Sequence, residues 1–143
     1  MSNQTTKFPI TWEQVHRDAL RLAEKLKQVQ QFDAILTVCR GGLVPAALVA
    51  RALDIHVIDT LCFITKDNQE ELIKHSALPD KNLLIIDDIV NTGHTAKAVR
   101  TLFPNAHYAS IYVKDDYKDL VDTWITDVKQ DTWFIFPWEH DLK

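Results

Sequence analysis

The stretch of the chain that most constrains its fold is residues 83–100, which have the sequence LLIIDDIVNTGHTAKAVR. The first four residues are apolar and predict a buried strand, and Asp87 and Asp88 follow at its carboxyl end. A polar turn with one glycine, residues 91–95, then leads into a helical pattern. In α/β proteins, ligands bind where the carboxyl ends of strands meet helix N-termini, so this order predicts a ligand site.

The chemistry of this turn favours a phosphorylated sugar. Backbone N–H groups and the helix dipole at a helix N-terminus attract an anion. The paired acids suit either the hydroxyl groups of a sugar or a hard cation such as Mg²⁺. Two other phosphate motifs, G-x-x-x-x-G-K-[ST] and G-x-G-x-x-G, are absent from the sequence. The alternative is a solvated acidic turn, but the strand, the acids and the T-G-x-T turn in register favour a site.

Composition limits the class of protein. The 143 residues suffice for one domain, and 46% hydrophobic with 25% charged residues is typical of a soluble globular protein. The net charge of −4 gives no overall attraction to nucleic acid or to an anionic membrane. The polar N-terminus does not resemble a signal peptide, and no apolar run approaches the roughly 20 residues of a membrane span. Cys39 and Cys62 lack the spacing of metal ligands, and we expect both thiols to be reduced. A single disulfide between them is the alternative.

The periodicity predicts alternating helices and strands. Apolar spacing from Trp12 to Val29 predicts an amphipathic helix that begins with a capping box of Thr11 and Gln14. Two further helices are predicted over 43–53 and 95–102. Strands are predicted over 33–38, 56–64, 83–87, 107–113 and 122–128. This alternation predicts a parallel sheet covered on both faces. Residues 65–82 have no clear pattern, and we expect a mobile loop with a helical turn.

The motifs resemble those of the type I phosphoribosyltransferases, whose signature is an apolar strand, two acids and a T-G-x-T loop. The sequence CRGGLVP at residues 39–45 resembles the R-G-G-L-x-P turn of the bacterial xanthine-guanine subfamily. DTW at 131–133 and PWE at 137–139 resemble its Q-D-T-W and P-W-D elements. The resemblance runs from about Ile10 to Glu139.

This resemblance implies the fold and the activity. The fold would be α/β, with a central, mostly parallel sheet, helices on both faces and a small C-terminal hood. A single domain would span 1–143, with the hood formed mainly by about 122–143. The activity would be purine salvage, in which ribose 5-phosphate passes from phosphoribosyl pyrophosphate (PRPP) to guanine, xanthine or hypoxanthine. The products would be the nucleoside monophosphate and pyrophosphate.

The resemblance also implies a cofactor, an assembly and a location. Mg²⁺ would be the cofactor, and the protein would be a homo-oligomer, either a dimer or a tetramer. No nucleic acid and no inserted membrane segment is expected among its partners. The location would be cytoplasmic, and peripheral association with the inner membrane, seen in some relatives, stays open.

The resemblance assigns PRPP to three groups of residues. Asp87 and Asp88 would face the ribose hydroxyls, directly or through Mg²⁺ bound by Asp88. Arg40 and Gly41 would meet the pyrophosphate, because a guanidinium matches phosphate oxygens; a strained or cis peptide is common in the family at this turn. The 5′-phosphate would lie on Asn91, Thr92, Gly93, His94 and Thr95. The alternatives are surface charge for the acids, a surface ion pair for Arg40 and a helix N-cap for Thr95.

The purine would contact residues nearer the C-terminus. Lys114 would donate to the 6-oxo group, and a cation there disfavours adenine, whose exocyclic amine is a donor. Trp133 would stack on the purine, and Phe134 would offer backbone groups to its edge. The full set by resemblance is Ile89, Asn91, Lys114, Trp133, Phe134 and Glu139, the last near the purine 2-substituent. The alternatives are a solvated lysine at a strand end and ordinary packing for Trp133, Phe134 and Trp138.

Three residues depart from the family pattern. Asn91 stands where the family carries an aspartate that takes a proton from purine N7, so its place among the catalytic residues Asp87, Asp88 and Lys114 is doubtful. His94 replaces a small residue. Glu70 replaces an arginine aimed at pyrophosphate, which predicts weaker PRPP binding unless Lys66 or Lys74 compensates.

These departures leave three hypotheses about function. The first is a purine phosphoribosyltransferase. The second is a catalytically weakened regulatory protein that binds PRPP or a nucleotide on the same fold. The third is a partner-binding protein, which the intact phosphate turn and the paired acids disfavour.

Overall fold

The computed structural model of the chain describes residues 5–139. Three helices occur, α1 (Trp12–Lys27), α2 (Leu43–Leu53) and α3 (His94–Leu102). The strands are β1 (Thr6–Pro9), β2 (Ala34–Cys39), β3 (Ile58–Lys66), β4 (Gln69–Lys74), β5 (Leu83–Val90), β6 (His107–Lys114), β7 (Thr123–Val128) and β8 (Thr132–Ile135). Two 3₁₀ turns span Asp115–Leu120 and Pro137–Glu139. No helix within residues 5–139 has the length and apolar character needed to cross a bilayer.

The main sheet has six strands in the order β4-β3-β2-β5-β6-β7. Every neighbouring pair is parallel except β3 and β4. The central strands β2 and β5 are nearly continuous apolar runs, as expected for a sheet buried on both faces. The predicted α/β fold with a mostly parallel sheet is therefore confirmed. The parallel arrangement puts the carboxyl ends of β2, β5 and β6 at one edge of the sheet.

The helices divide between the two faces of the sheet. α1 and α2 share one core cluster with Leu84 and Ile86 of β5, and α3 shares the other with Leu83 and Ile85. α1 begins with the predicted capping box. The Gln14 N–H donates to Thr11 Oγ1 at 3.1 Å, and the Thr11 N–H donates to Gln14 Oε1 at 2.8 Å. Because successive side chains of β5 point to opposite faces, Asp87 and Asp88 near its end face different sides of the sheet.

The prediction of a loop over 65–82 is wrong for residues 65–74, whereas 75–82 contain no helix or strand. β3 continues to Lys66, and the chain reverses through Asp67 and Asn68 into the antiparallel strand β4. Both turn residues have positive φ, 52° and 62°, which is the conformation that two-residue hairpin turns require. Asp and Asn tolerate it without a glycine to mark the turn. β4 is polar because it is an edge strand with one face in water.

A small polar cluster holds the base of this hairpin. The Lys74 ammonium donates to Asp59 Oδ1 and to the Thr60 carbonyl, each at 2.9 Å. The Ser76 hydroxyl donates to Asp59 Oδ2 at 2.6 Å. The hydrogen bond from Ser76, followed by the one from Lys74, lowers the pKa of Asp59 to about 2. The folded state therefore favours the charged form of Asp59.

The hood is built from both ends of the chain. We use that name for β1, β8 and the 3₁₀ turn Pro137–Glu139. β1 and β8 form a parallel two-stranded sheet in which Phe8 is opposite Phe134. The hood was predicted to be formed mainly by about 122–143, but the first part of that segment belongs to the main sheet, in which β7 is the outer strand. Residues 140–143 of that prediction lie outside the described residues. Sequence patterning missed β1, which has four residues, all exposed.

Asp59→Asn should destabilise the protein in a pH-dependent way. The folded pKa of Asp59, about 2, lies below its unfolded value, so its charge stabilises the fold above about pH 4. That contribution falls away as the pH drops from 4 to 2. Urea unfolding should therefore give a lower midpoint for Asp59→Asn than for the wild type at pH 7, and a smaller difference at pH 2.5.

Asp54→Asn is the matched control, because Asp54 pairs only with His56 at an exposed position. Its midpoint should stay close to that of the wild type at both pH values. A difference for Asp59→Asn that does not change with pH would contradict the role assigned to this charge.

Candidate active site

A cavity of about 830 Å³ opens at the carboxyl edge of the main sheet. The ends of β2 and β5, the first turns of α2 and α3, the β3–β4 hairpin and the hood surround it. It brings together ten of the residues predicted to form the site, Arg40, Gly41, Asp87, Asp88, Ile89, Asn91, Thr92, Gly93, Thr95 and Glu139. Four other predicted residues, His94, Lys114, Trp133 and Phe134, do not line it.

The two acids lie inside β5, which continues to Val90 rather than ending at Asp87 as predicted. Both are buried, with 7% and 8% of their surface exposed. Asp87 accepts hydrogen bonds from the Asp88 N–H at 2.8 Å and from the Tyr108 hydroxyl at 3.0 Å. Asp88 accepts one from the Ile89 N–H at 2.7 Å. Carboxylates at such a depth favour a ligand that brings hydroxyl donors or a cation.

Burial sets the electrostatics of the pair. Burial raises the pKa of Asp87 above its usual range. Burial, followed by the adjacent charge of Asp87, raises the pKa of Asp88 well above its usual range. Two neighbouring carboxylates with little water resist carrying two charges unless a partner compensates. A bound cation or the hydroxyl donors of a ligand would provide that compensation.

The turn after β5 leads directly into the N-terminus of α3, which is the arrangement expected of an anion site. α3 begins at His94, one residue earlier than predicted, and its N-cap is Gly93 rather than Thr95. Thr95 therefore keeps its hydroxyl for the cavity that it lines. Gly93 has φ 79°, and an added Cβ would lie 2.6 Å from the Tyr117 ring. Glycine is thus required here both by conformation and by contact. The His94 side chain is exposed.

The turn after β2 packs directly against the acids. The peptide bond between Cys39 and Arg40 is cis, in line with the form expected from the resemblance. An added Cβ at Gly41 would collide with the Asp88 carboxylate, and one at Gly42 would lie 2.6 Å from the Ile86 carbonyl. The turn can approach β5 this closely only because both positions are glycine.

Arg40 and Cys39, at the cis peptide bond, differ in charge and in reactivity. Within residues 5–139, Arg40 has no carboxylate within 4.0 Å, so the alternative of a surface ion pair is not what the structure has. Cys39 also lines the cavity. Burial, with the neighbouring Cys62 thiol, raises the pKa of Cys39 to about 11. At neutral pH Cys39 is therefore a protonated thiol and not a nucleophile.

Lys114 and Phe134, which were predicted to contact the purine, contact other parts of the protein in the structure. Lys114 is the last residue of β6 and is buried; its ammonium donates to the Gln130 carbonyl at 3.0 Å and to the Thr132 carbonyl. Burial lowers the pKa of this lysine. Phe134 packs edge-on against Tyr112, with ring centroids 4.8 Å apart. Lys114 thus joins the hood to the main sheet, and Phe134 has the packing role named as its alternative.

Of the two tryptophans in the C-terminal motifs, Trp138 lines the cavity and Trp133 does not. Trp133, predicted to stack on the purine, is 46% exposed and lies outside the cavity lining. Trp138, for which packing was the alternative, lines the cavity and stacks on Phe136 at 4.7 Å. The P-W-E motif was the sequence signal for Trp138. No periodicity could have shown which of the two indoles faces the cavity.

The hairpin contributes lining residues that the loop prediction could not place. Phe63, Thr65 and Glu70 all line the cavity. The Thr65 hydroxyl donates to Glu70 Oε1 at 3.0 Å, which holds this carboxylate in the cavity wall. Lys74 cannot compensate for that charge, because its ammonium is bound at the base of the hairpin. Of the two lysines proposed to compensate for the charge of Glu70, this leaves Lys66, which lies at the exposed tip of the hairpin.

The family model of the phosphoribosyl transferase domain matches residues 11–143. The chain belongs to this family. A xanthine-guanine phosphoribosyltransferase from Nitratidesulfovibrio vulgaris strain DP4 is 46% identical over 141 residues, which are 95% of this chain and 86% of the relative.

Solved structures of purine phosphoribosyltransferases have the same fold as this chain. A purine phosphoribosyltransferase from Pyrococcus horikoshii has a TM-score of 0.82 and 29% identity, over 94% of this chain and 95% of that one. A xanthine-guanine-hypoxanthine phosphoribosyltransferase from Helicobacter pylori has a TM-score of 0.82 and 22% identity, over 97% and 96%. The resemblance found in the motifs is confirmed, and so are the fold and the class of enzyme.

The contact between Gly41 and Asp88 can be tested by a double-mutant cycle. Gly41→Ala should destabilise the protein by about 1–3 kcal/mol, since the methyl group overlaps the Asp88 carboxylate. In an Asp88→Ala background the carboxylate is gone, so the same methyl group should cost much less. Urea unfolding of the four proteins measures the coupling. Equal destabilisation by Gly41→Ala in both backgrounds would show that the two residues do not meet.

Proposed function

We propose that the protein transfers ribose 5-phosphate from PRPP to a 6-oxopurine, either guanine, xanthine or hypoxanthine, and so serves purine salvage. The proposal rests on one cavity that joins two buried acids, the N-terminus of α3 and a glycine turn whose arginine has no carboxylate partner within residues 5–139. These are the parts that a ribose, its 5′-phosphate and its pyrophosphate require. The relatives named xanthine-guanine phosphoribosyltransferases support xanthine and guanine among these bases.

The ribose and its phosphate would lie between β5 and α3. The hydroxyls would donate to Asp87 and Asp88, which are buried beside one another at the end of β5. The 5′-phosphate would accept from the first N–H groups of α3, which have no carbonyl partner within the helix. The Thr92 and Thr95 hydroxyls would add donors. Holding three parts of one substrate fixes C1′ in place, and positioning of this kind is a large part of such catalysis.

The pyrophosphate would leave toward the turn after β2. Bond breaking at C1′ would give the ribose oxocarbenium character while negative charge grows on the pyrophosphate. The Arg40 guanidinium and the backbone of Gly41 would face that charge. Donors that are already in place stabilise developing charge without reorganisation, which is the main electrostatic contribution available here.

The residues fit Mg²⁺ as a cofactor held jointly with the substrate. Within residues 5–139, His, Cys, Asp and Glu side chains form no cluster of three or more that could hold a metal alone. Asp87 and Asp88 offer hard oxygens, and burial makes their charges costly without a cation. Mg²⁺ usually takes one or two carboxylates and completes its shell with phosphates and water. When bound, it would neutralise charge on the pyrophosphate.

The base would lie between the phosphate turn and the hood. Ile89, Trp138 and Glu139 line that part of the cavity. The Asn91 amide oxygen would accept a hydrogen bond from the purine, but a neutral amide cannot take its proton. Lys114 uses two of its three donors on the Gln130 and Thr132 carbonyls. Because Lys114 does not line the cavity, its third donor would serve the 6-oxo group only after a change of its side-chain conformation. The exposed Trp133 would reach the base only with a change of its side-chain conformation.

Oligomerisation is supported by an uncovered apolar face. Ile58, Ile64 and Ile73 on the β3–β4 hairpin are 46%, 43% and 59% exposed. Exposed apolar residues grouped on one sheet face are typical of a protein interface. We propose that this face contacts a second copy of the chain.

Assays with PRPP, Mg²⁺ and each purine base test the proposed function. Turnover with at least one 6-oxopurine and none with adenine is expected. Saturable binding of PRPP without turnover would favour the regulatory alternative, for which Asn91 and Glu70 are the supporting features. Absence of both binding and turnover would contradict both functions.

Asn91→Asp should raise kcat with a 6-oxopurine, because a carboxylate can take the N7 proton. General-base catalysis contributes typically about 10²–10⁴-fold, so a rise of at least about tenfold is expected. Asn91→Ala is the control, and it should not raise kcat. Equal kcat in wild type and Asn91→Asp would contradict the base role of this position.

Glu70→Arg should lower the KM for PRPP by about five- to tenfold, since it replaces a negative charge in the cavity wall with a cation that attracts pyrophosphate. Glu71→Arg is the matched control, because it makes the same charge change one residue along β4, outside the cavity lining. The control should change the KM by less than about twofold in 0.15 M salt, owing to screening. Equal effects of both substitutions would show a general charge effect and contradict a pyrophosphate position near Glu70.

A further inference from the structure

The phenol of Tyr108 is buried beneath the candidate site without lining its cavity. Its surface is 0% exposed, and its hydroxyl donates to Asp87 Oδ2 at 3.0 Å. The other oxygen of Asp87 accepts from the Asp88 N–H at 2.8 Å. Each oxygen of this carboxylate therefore has one donor among residues 5–139 and keeps further acceptor capacity, and Asp87 lines the cavity.

We propose that Tyr108 is a positioning residue for the ribose subsite, since its hydroxyl fixes the carboxylate of Asp87 in the orientation that meets the sugar hydroxyls. This inference rests on the proposed placement of the ribose at Asp87. It adds a residue that no motif indicates and that contacts no substrate.

The register of the sheet explains why a tyrosine is needed. Tyr108 on β6 is opposite Ile85 on β5, and Asp87 is opposite Ser110. Ile85 and Asp87 lie on the same face, two residues or about 6.6 Å apart along the strand. The long side chain of Tyr108 spans this offset and ends in a donor at the height of Asp87. Phenylalanine would fill the same space but leave that carboxylate oxygen without its donor.

Neighbouring residues hold both the backbone and the ring of Tyr108. Its backbone N–H donates to Asp122 Oδ2 at 2.8 Å, and the Asp122 N–H donates to the Tyr108 carbonyl at 2.8 Å. The Arg100 guanidinium carbon lies 5.6 Å from the ring centroid and Arg100 Nη2 is 2.7 Å from Asp122. A donor on so fixed a ring restricts the rotation of Asp87 more than a donor on a flexible side chain would.

The chain offers a matched control in Tyr112. Its hydroxyl donates to Asp18 Oδ2 at 2.6 Å, and both residues are buried. This pair lies in the other core cluster, beneath α1, and neither residue lines the cavity. Tyr112→Phe therefore removes the same kind of buried phenol–carboxylate hydrogen bond as Tyr108→Phe, but away from the ribose.

Calorimetric titration with Mg²⁺ and two ligands tests the proposal. Guanosine monophosphate contains the ribose, and inorganic pyrophosphate does not. Tyr108→Phe should bind guanosine monophosphate about tenfold more weakly, which corresponds to about 1.4 kcal/mol, and pyrophosphate within twofold of the wild type. In kinetics, the KM for PRPP should rise about tenfold and the KM for the base should change by less than about twofold. Tyr112→Phe should leave both affinities within about twofold.

Unchanged binding of guanosine monophosphate by Tyr108→Phe would overturn the proposal, and so would equal losses for both ligands, which indicate a structural role. If the wild type binds no guanosine monophosphate, the proposed function fails and the inference fails with it. Should Tyr108→Phe not fold because the buried Asp87 carboxylate loses its donor, the test moves to an Asp87→Asn background, in which no buried charge is left without a donor. There Asp87→Asn is compared with Asp87→Asn/Tyr108→Phe. Equal affinities for guanosine monophosphate are expected there, because Tyr108 acts through Asp87, and a further tenfold loss would overturn the inference.

Discussion

The burial of two adjacent carboxylates at the end of a central strand is the constraint on which the rest of the site depends. Asp87 and Asp88 point to opposite faces of the sheet because neighbours in a strand alternate. On one face Tyr108 donates to Asp87, and on the other the Gly41 turn lies against Asp88. Charged groups at this depth are costly, so their retention is best explained by a ligand that compensates them.

The same constraint explains where the chain carries its three glycines. Two of them, Gly41 and Gly42, let the turn after β2 approach β5 at distances that exclude a Cβ. The third, Gly93, has a positive φ and lies under the Tyr117 ring, so the helix after β5 begins immediately beyond the acids. The backbone of two turns, which we propose binds the phosphate groups, is thereby brought next to one pair of acids.

Sequence patterning predicted the parts of the fold that depend on local order. The apolar run before Asp87, the spacing in α1 and the capping box at Thr11 each carry their own signal. The β3–β4 hairpin was missed because Asp67 and Asn68 form its turn without glycine. Tyr108 was missed because its contact with Asp87 depends on the pairing of β5 with β6. Strand register and side-chain direction are tertiary properties that no short window of sequence contains.

The structure of a crystal grown with guanosine monophosphate and Mg²⁺ tests the central claim most directly. We expect the ribose hydroxyls within hydrogen-bond distance of the Asp87 and Asp88 carboxylates, and the 5′-phosphate on the N–H groups at the start of α3. A nucleotide bound at another surface, with the two acids facing only water, would contradict it.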